Sequence, residues 1–317
     1  MTVAVNEQVR IKRSPQSLPS AGDFDITQTE VPRIVGGQFL SRALWLSLDR
    51  WVRAPAVGTL APALGVCEVI ESRNDVFNVG DRVVVDCGLQ KYCVSDGTSV
   101  HKLHPGQSPW STALGILGQP GMSAYFGLLE RGQLREKDIV LVSAAAHTAG
   151  CMAGQIALIK GARAIGFAGS KEKCDWATRH ARFSACINYR TENFNARLKE
   201  LAPGGVNVYF DTTGGLLLDR IASGRHLAAD GRVVVNNLST PTPGIAPFID
   251  SRAGVLPLNL AEFESRREQF LKDAIAWHGE GLLAYKEDVV EGLRSAPAHF
   301  CKLMRGENFG MPLIRMQ

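Results

Sequence analysis

The chain has 317 residues, 45% of them hydrophobic, and its 35 Lys and Arg residues against 31 Asp and Glu residues give a net charge of +4. At roughly 100–200 residues per domain, this length predicts two domains, each with its own core. The small, interspersed charge excludes the electrostatic pattern of a nucleic-acid-binding protein.

The first part of the chain, from about residue 3 to 105, consists of short apolar segments that predict β-strands. They are rich in Val, Ile, Leu and aromatic residues and are bounded by Gly, Asp and Asn turn signals. The segments are VRIK, QFLSRALWLSL, GVCEVIES, DRVVVDC and KYCVSD. An edge strand is expected to end before Pro32. We therefore predict an all-β, barrel-like domain in this part of the chain.

From Lys137 onward, short apolar runs recur with helical segments between them. The runs begin at Val140, Ala164, Cys186, Val208 and Val233. Successive runs start 24, 22, 22 and 25 residues apart. This spacing fits a strand, a crossover helix and two loops, so it predicts a parallel sheet with right-handed crossovers.

Helices are predicted between these strands and after the last one. Their expected ranges are 150–160, 192–201 and about 260–279, and a Pro-rich loop follows Leu238. The tail from Leu282 returns to short β and helical segments. We expect this tail to complete the first domain.

The turn after the first strand of a doubly wound sheet is where a dinucleotide pyrophosphate binds. Here that turn contains Gly150 and Gly154, spaced for close backbone approach and for tight helix packing. His147 stands where a glycine would open the turn. This histidine either contacts the phosphates, acts as an acid or base toward the substrate, or caps the turn. We favour a phosphate contact or a structural role.

The end of the second strand indicates which dinucleotide binds. NAD-binding units commonly place an acidic residue there, whereas a 2′-phosphate requires cations and donors. This chain has Ser170, Lys171 and Lys173 at that point. We therefore predict NADP(H) as the cofactor. In the alternative interpretation, the lysines merely form the solvated first turn of a helix.

The cysteines and the apolar segments indicate the cellular environment. Seven cysteines without a C-x-x-C pair argue against disulfides and against a zinc knuckle. Cys87, Cys93, His101 and His104 lack close ligand spacing, so no metal site is predicted and the thiols are expected to be reduced.

No apolar stretch approaches the ~20 residues of a membrane span, and no secretory signal is evident. We expect a cytoplasmic protein.

Short motifs in a fixed order extend over nearly the whole chain. They occupy residues 46–53, 71–74, 77–81, 118–128, 154–157, 168–173, 188–189, 211–215 and 306–310. In these motifs the chain resembles the zinc-independent medium-chain dehydrogenase/reductases, in the branch of prostaglandin and leukotriene reductases, curcumin reductase and plant alkenal double-bond reductases.

The resemblance implies an α/β protein with two domains. A GroES-like β-barrel domain would comprise residues 1–117 and 285–317, and a Rossmann-type doubly wound parallel sheet that binds NADP would comprise residues 118–284. Family members form homodimers and transfer a hydride from NADPH to the β-carbon of an α,β-unsaturated ketone or aldehyde, without zinc. Small apolar or enone-type substrates are therefore expected.

The resemblance also assigns provisional roles to single residues. Lys173 and Tyr189 would contact the 2′-phosphate beside Ser170, and Asn308 would lie near the nicotinamide. The full set of expected cofactor residues is Gly150, Gly154, Ser170, Lys173, Tyr189, Asn308, Ser123 and Asn237. Tyr125 joins His147 as a catalytic candidate, although we slightly favour helix packing as its role.

Departures from the family pattern concern the substrate pocket. The family's enolate-stabilising tyrosine corresponds to Leu258, and Trp51 stands at the aromatic position of the family's Asp-Pro-Tyr-Met-Arg segment, where it should reshape the pocket. The loss of the tyrosine keeps a second function open, a biosynthetic enzyme that performs a non-redox cyclisation or isomerisation with the nucleotide site retained or degenerate. A nucleotide-binding protein without catalysis is the third interpretation.

Overall fold

The computed structural model describes residues 5–15, 17–49, 55–214, 218, 221, 226–236 and 254–317. The chain forms two compact units, Met1–Leu114 with Glu287–Gln317, and Gly115–Lys286. These boundaries lie two or three residues from the predicted domain boundaries. Trp51, Asn237 and the Pro-rich loop after Leu238 lie outside the described residues.

The regular elements of the described residues are numbered in chain order. The strands are β1 (Val5–Ile11), β2 (Phe24–Glu30), β3 (Phe39–Ser47), β4 (Leu64–Ser72), β5 (Arg82–Asp86), β6 (Tyr92–Ser95), β7 (His101–Lys102), β8 (Ile139–Val142), β9 (Arg163–Ala168), β10 (Ala185–Asn188), β11 (Val206–Asp211), β12 (Leu227–Asn236), β13 (Gly254–Leu258), β14 (Glu287–Glu291) and β15 (Met311–Arg315). The α-helices are α1 (Gln119–Phe126), α2 (Thr148–Ile159), α3 (Lys171–Arg179), α4 (Phe194–Leu201), α5 (Arg267–Gly279) and α6 (Ala296–Arg305).

The first unit is built on a mainly antiparallel sheet with the strand order β14-β15-β3-β4-β5-β7, and β6 also pairs with β3. Strands β1 and β2 form a separate antiparallel pair. The C-terminal tail completes the main sheet, because Leu313 and Ile314 of β15 pair with Ser47 and Leu46 of β3. The all-β character predicted from the short apolar segments is confirmed.

The second unit contains six parallel strands in the order β10-β9-β8-β11-β12-β13. Numbered within the unit, this order is 3-2-1-4-5-6, the Rossmann arrangement. Val140, Leu141 and Val142 of β8 are completely buried, as the continuous apolar run predicts for a central strand covered on both faces. The strand order reverses between β8 and β11, and ligands of such sheets bind at the carboxyl ends of the strands at this point.

The helices differ from their predicted ranges mainly at their N-termini. Helix α2 begins two residues before the predicted start, and α4 begins two residues after it. The predicted helix over 260–279 consists of a 3-10 helix, Leu260–Arg266, followed by α5. Asn259 caps the 3-10 helix, because its side-chain oxygen accepts a hydrogen bond from the Ala261 N–H. No helix in the described ranges has the length and apolar character to cross a membrane.

Candidate cofactor site

Hydrogen bonds join the ends of the two strands at which the order of the parallel sheet reverses. The Thr212 N–H donates to the Ser143 hydroxyl over 2.7 Å. The completely buried Asp211 carboxylate accepts from the Tyr209 hydroxyl over 2.6 Å and from the Gly214 N–H over 2.8 Å. The loops after β8 and β11 are therefore held in fixed positions at the edge where a nucleotide would bind.

The loop between β8 and α2 bends at a residue that the sequence does not mark. Ala144 has a φ of 48°, in the left-handed region, whereas His147 has a φ of −98° and is extended. The position of His147 therefore does not need the left-handed backbone that would favour glycine. Its backbone is unstrained, and its side chain makes no capping hydrogen bond to α2. The capping role considered for His147 loses its support.

The two glycines of α2 permit close packing. A Cβ on Gly150 would lie 2.4 Å from the Ser143 carbonyl oxygen, so glycine brings the first turn of α2 against the loop backbone. A Cβ on Gly154 would lie 1.9 Å from Cζ of Phe183. Gly150 therefore helps to shape the phosphate turn. Gly154 faces Phe183 in the core, which agrees with the predicted role in tight helix packing, and its contact with the cofactor stays a prediction.

The start of α2 carries an unsatisfied donor. Thr148 is the first residue of this 12-residue helix, and its buried hydroxyl has no hydrogen-bond partner. The first N–H groups of a helix also lack partners within it and favour an anion. A buried hydroxyl beside these N–H groups fits a pyrophosphate oxygen. Sequence reasoning overlooked Thr148, although it directly follows His147 in the expected phosphate turn.

A second group of donors surrounds the end of β9. The Ser170 hydroxyl caps α3 by accepting a hydrogen bond from the Lys173 N–H over 3.3 Å. A Cβ on the preceding Gly169 would lie 2.8 Å from the Tyr189 hydroxyl oxygen and 3.2 Å from Nε of Arg190. Glycine thus leaves room where a hydroxyl and a guanidinium approach the backbone. We call these residues, Gly169, Ser170, Lys173, Tyr189 and Arg190, the β9 cradle.

Lys171, one of the positive charges predicted near the 2′-phosphate, lies outside the β9 cradle and is paired with a carboxylate. The ammonium group of Lys171 contacts the Asp175 carboxylate over 2.5 Å, and this hydrogen bond lowers the pKa of Asp175. Asp175 therefore offsets the charge of Lys171. Sequence reasoning missed Arg190, whose only signal is its position directly after the Asn188-Tyr189 motif. Its planar guanidinium suits bidentate contact with a phosphate.

Tyr125 and Ser123 lie on α1 and are both buried. The Tyr125 hydroxyl donates to the Asp273 carboxylate of α5 over 2.6 Å, and the Tyr125 ring packs against Phe126, Phe270 and Trp277. Burial, and secondarily Asp273, raises the pKa of Tyr125 to about 12. These contacts favour the helix-packing role of Tyr125 over a catalytic one.

Leu258 and Asn308 are both placed by packing within their own units. Leu258 ends β13 and is buried in the core that contains Phe126 and Phe210. Its Cδ2 lies 3.4 Å from the position that a Cβ on Gly127 would occupy, and its place beside the substrate stays a prediction. Asn308 is buried in the first unit and donates to the Gly310 carbonyl oxygen over 3.0 Å.

The cysteines are not spread as the sequence suggests. The sulfur atoms of Cys67, Cys87 and Cys93 all lie within 4.8 Å of one another. The prediction that Cys87 and Cys93 lack close ligand spacing is therefore wrong, although the partner is Cys67 and neither predicted histidine belongs to the group. In the second unit, the Cys174 and Cys186 sulfur atoms are 2.6 Å apart.

Comparisons with known proteins agree with this fold. Residues 7–103 match the family described as the N-terminal domain of oxidoreductase, and residues 149–250 match the family described as zinc-binding dehydrogenase. The chain is 33% identical to prostaglandin reductase 1 of Bos taurus over 96% of this chain and 97% of that protein. It is 31% identical to the NADPH-dependent curcumin reductase of Escherichia coli, strain K12, over 95% and 94% of the two chains. The crystal structure of CurA in complex with NADPH from Vibrio vulnificus superposes with a TM-score of 0.88 at 30% identity, covering 98% of this chain and 99% of CurA.

Proposed function

We infer the activity of this chain from its family, since it belongs to the medium-chain dehydrogenase/reductases, in the branch of prostaglandin reductase and curcumin reductase. The chain is an NADP-dependent oxidoreductase. We propose that it reduces the activated carbon–carbon double bond of an α,β-unsaturated ketone or aldehyde. The observation that carries the cofactor half of this proposal is the β9 cradle, where Tyr189 and Arg190 approach Gly169 beside Ser170.

The residues of the second unit fit the two phosphate groups of NADPH. Arg190 and Lys173 would neutralise the 2′-phosphate, and the Ser170 and Tyr189 hydroxyls would donate hydrogen bonds to it. Thr148 and the first N–H groups of α2 would hold the pyrophosphate. When bound, NADPH supplies the hydride, which we propose goes to the β-carbon of the enone.

The family description as a zinc-binding dehydrogenase raises the question of a metal in catalysis. In the described part of the chain, three potential metal-ligating side chains come together only at Cys67, Cys87 and Cys93. Each of these cysteines is at most 5% exposed. A catalytic metal needs an open position that substrate can reach, and this arrangement favours a zinc-independent reaction.

The proton that completes the reduction needs no strong acid of the protein. Reduction of an enone depends mainly on orientation and on stabilisation of the enolate. Tyr125 has its hydroxyl committed to Asp273, and His147 stands at the start of α2, where the phosphates are expected. We therefore propose that His147 contacts the pyrophosphate and that water or the cofactor ribose supplies the proton.

The test combines binding with turnover on the full chain. NADPH fluorescence should report saturable binding, and NADH should bind at least tenfold more weakly. NADPH should then be consumed in the presence of α,β-unsaturated ketones and aldehydes that differ in size. Binding without consumption would contradict the reductase and favour the cyclisation or isomerisation alternative. Absence of binding would also contradict the cofactor assignment. The homodimer and the cytoplasmic location remain predictions.

A further inference from the structure

The core of the first unit contains three thiols that converge from three parts of the sheet. Cys67 lies on β4, Cys93 lies on β6, and Cys87 directly follows β5. They are 0%, 5% and 3% exposed, respectively. All three sulfur atoms lie within 4.8 Å of one another. We call Cys67, Cys87 and Cys93 the thiol triad.

The backbone of the sheet holds the thiol triad in place. Gly65 on β4 leaves the space that the sulfurs occupy, because a Cβ there would lie 2.5 Å from Sγ of Cys87 and 3.0 Å from Sγ of Cys67. The Cys87 N–H donates to the Ala63 carbonyl oxygen, and Cys93 is paired in register with Ser41 of β3. Since the three sulfurs already face one another, little conformational entropy is lost when they share a ligand.

The polar groups that contact the sulfur atoms of the thiol triad are uncharged. They are the Ser41 hydroxyl, 3.2 Å from Sγ of Cys93, and the Ala63 carbonyl oxygen, which accepts from the Cys87 thiol. None of these partners carries a positive charge. An uncompensated buried charge is strongly unfavourable. An ion bound here must therefore carry a positive charge equal to the negative charge of the thiolates that bind it.

The need for charge balance favours one class of thiophilic ion over the others. Soft thiolate ligands select ions such as Cu(I) and zinc. With three thiolates, however, a monovalent ion would leave two negative charges in the core and a divalent ion would leave one. Zinc also takes four ligands in structural sites, whereas the group found in the described residues offers three sulfurs. A trivalent ion that forms three bonds to sulfur gives a neutral product.

We propose that Cys67, Cys87 and Cys93 form a binding site for a trivalent thiophilic ion, of which arsenic(III) is the representative. Arsenous acid enters by ligand exchange. Three As–O bonds and three S–H bonds break, three As–S bonds form, and the three hydroxyl groups leave as three water molecules. No oxidant or reductant is consumed, and the charge of the core does not change. Three-coordinate arsenic(III) carries a lone pair and is pyramidal, so bonds of about 2.3 Å, the length of a zinc–thiolate bond, place the sulfurs about 3.5 Å apart. This distance lies within the 4.8 Å limit on the separation of the three sulfurs.

The test uses the full chain and arsenite as the probe. Cys186→Ser serves as the background, because it removes the second close pair of thiols, Cys174 and Cys186. Intact-mass measurement after incubation with arsenite should show one adduct per chain, with one arsenic atom gained and three hydrogens lost. Because the triad is buried, the adduct should form slowly, at the rate of local opening. Antimonite should give the corresponding adduct if the site accepts the whole class.

Variants identify the sulfurs and exclude an effect of misfolding. Cys67→Ser, Cys87→Ser and Cys93→Ser should each abolish the adduct with three hydrogens lost, and Cys301→Ser, at a buried single cysteine of the same unit, should retain it. The circular dichroism and melting temperature of each variant without arsenite establish that it is folded. A folded Cys93→Ser that still forms this adduct would overturn the proposal. The same holds if the background protein forms no adduct, or if zinc or Cu(I) occupies the triad while arsenite does not.

Discussion

The Tyr189 hydroxyl oxygen lies 2.8 Å from the position that a Cβ on Gly169 would occupy. A side chain from the end of β10 and the backbone that follows β9 are therefore in close approach. Arg190 reaches the same point, with Nε 3.2 Å from that position. Two neighbouring residues thus place a hydroxyl and a positive charge beside the N-terminus of α3. This relationship is the basis of the expected preference for NADPH over NADH.

Arg190→Ala should weaken NADPH binding and leave NADH binding nearly unchanged. A hydrogen bond to a charged group contributes about 1.5–3 kcal/mol, so the dissociation constant for NADPH should rise about 10- to 100-fold. Lys171→Ala is the matched control, because Lys171 is paired with Asp175 and its side chain is 81% exposed. Fluorescence titrations with both nucleotides measure the effect. Equal losses for NADPH and NADH would show that Arg190 does not bind the 2′-phosphate.

Thr148→Val should change stability and cofactor binding in opposite senses. The substitution keeps the side-chain shape and removes a buried hydroxyl that has no partner, so the free energy of unfolding without cofactor should rise by about 1 kcal/mol. NADPH should bind about tenfold or more weakly because the phosphate loses a donor. Urea unfolding and NADPH titration provide the two measurements.

Thr112→Val is the control for Thr148→Val, since the Thr112 hydroxyl donates to the Pro109 carbonyl oxygen over 2.7 Å. That variant should lose stability by about 1 kcal/mol and bind NADPH normally. If Thr148→Val behaves in the same way as Thr112→Val, the Thr148 hydroxyl serves the fold and has no part in the site.

The periodic apolar runs predict the parallel sheet because the spacing of a strand and its crossover helix is local information. The thiol triad is different. Its three cysteines, Cys67, Cys87 and Cys93, come together because β4 pairs with β3 and β5, and because β3 also pairs with β6. The spacing of the cysteines along the chain does not predict which strands pair or in which register. The left-handed φ of Ala144 could not be predicted from the sequence either, because the shape of this loop depends on the close approach of Gly150 to the Ser143 carbonyl oxygen.

Gly154→Ala should destabilise the second unit. The added methyl group would lie 1.9 Å from Cζ of Phe183, which is only 3% exposed. Overpacking of this kind costs about 1–3 kcal/mol. Gly204→Ala is the control, because a Cβ there meets no atom within 4 Å. Phe183→Leu in the Gly154→Ala background should recover part of the loss, so a purely additive double-mutant cycle would contradict this contact.

His147→Asn should affect cofactor affinity and leave the chemical step unchanged. The extended backbone of His147 suits any residue, and asparagine keeps a hydrogen-bond donor but cannot transfer protons near neutral pH. If His147 contacts the phosphates, KM for NADPH should rise about 3- to 10-fold, as expected for one weakened hydrogen bond, with kcat preserved. Steady-state kinetics over a range of NADPH concentrations separates the two quantities. A fall in kcat of about 100-fold at saturating NADPH would instead assign His147 to acid–base catalysis.

Tyr125 should make the protein sensitive to alkaline pH. Burial and Asp273 raise its pKa in the folded chain to about 12, above the ordinary value of about 10. Between these values the unfolded chain loses the proton while the folded chain retains it. The contribution of Tyr125 to stability is therefore fully present below pH 10 and is lost as the pH rises through 12.

The tyrosinate absorbance of the wild type minus that of Tyr125→Phe should titrate with a midpoint of about 12. Asp273→Asn should move this midpoint downward, because it removes the carboxylate that opposes ionisation. A wild-type step centred near 10 would mean that the Tyr125 hydroxyl faces solvent, and its role in helix packing would then have to be abandoned.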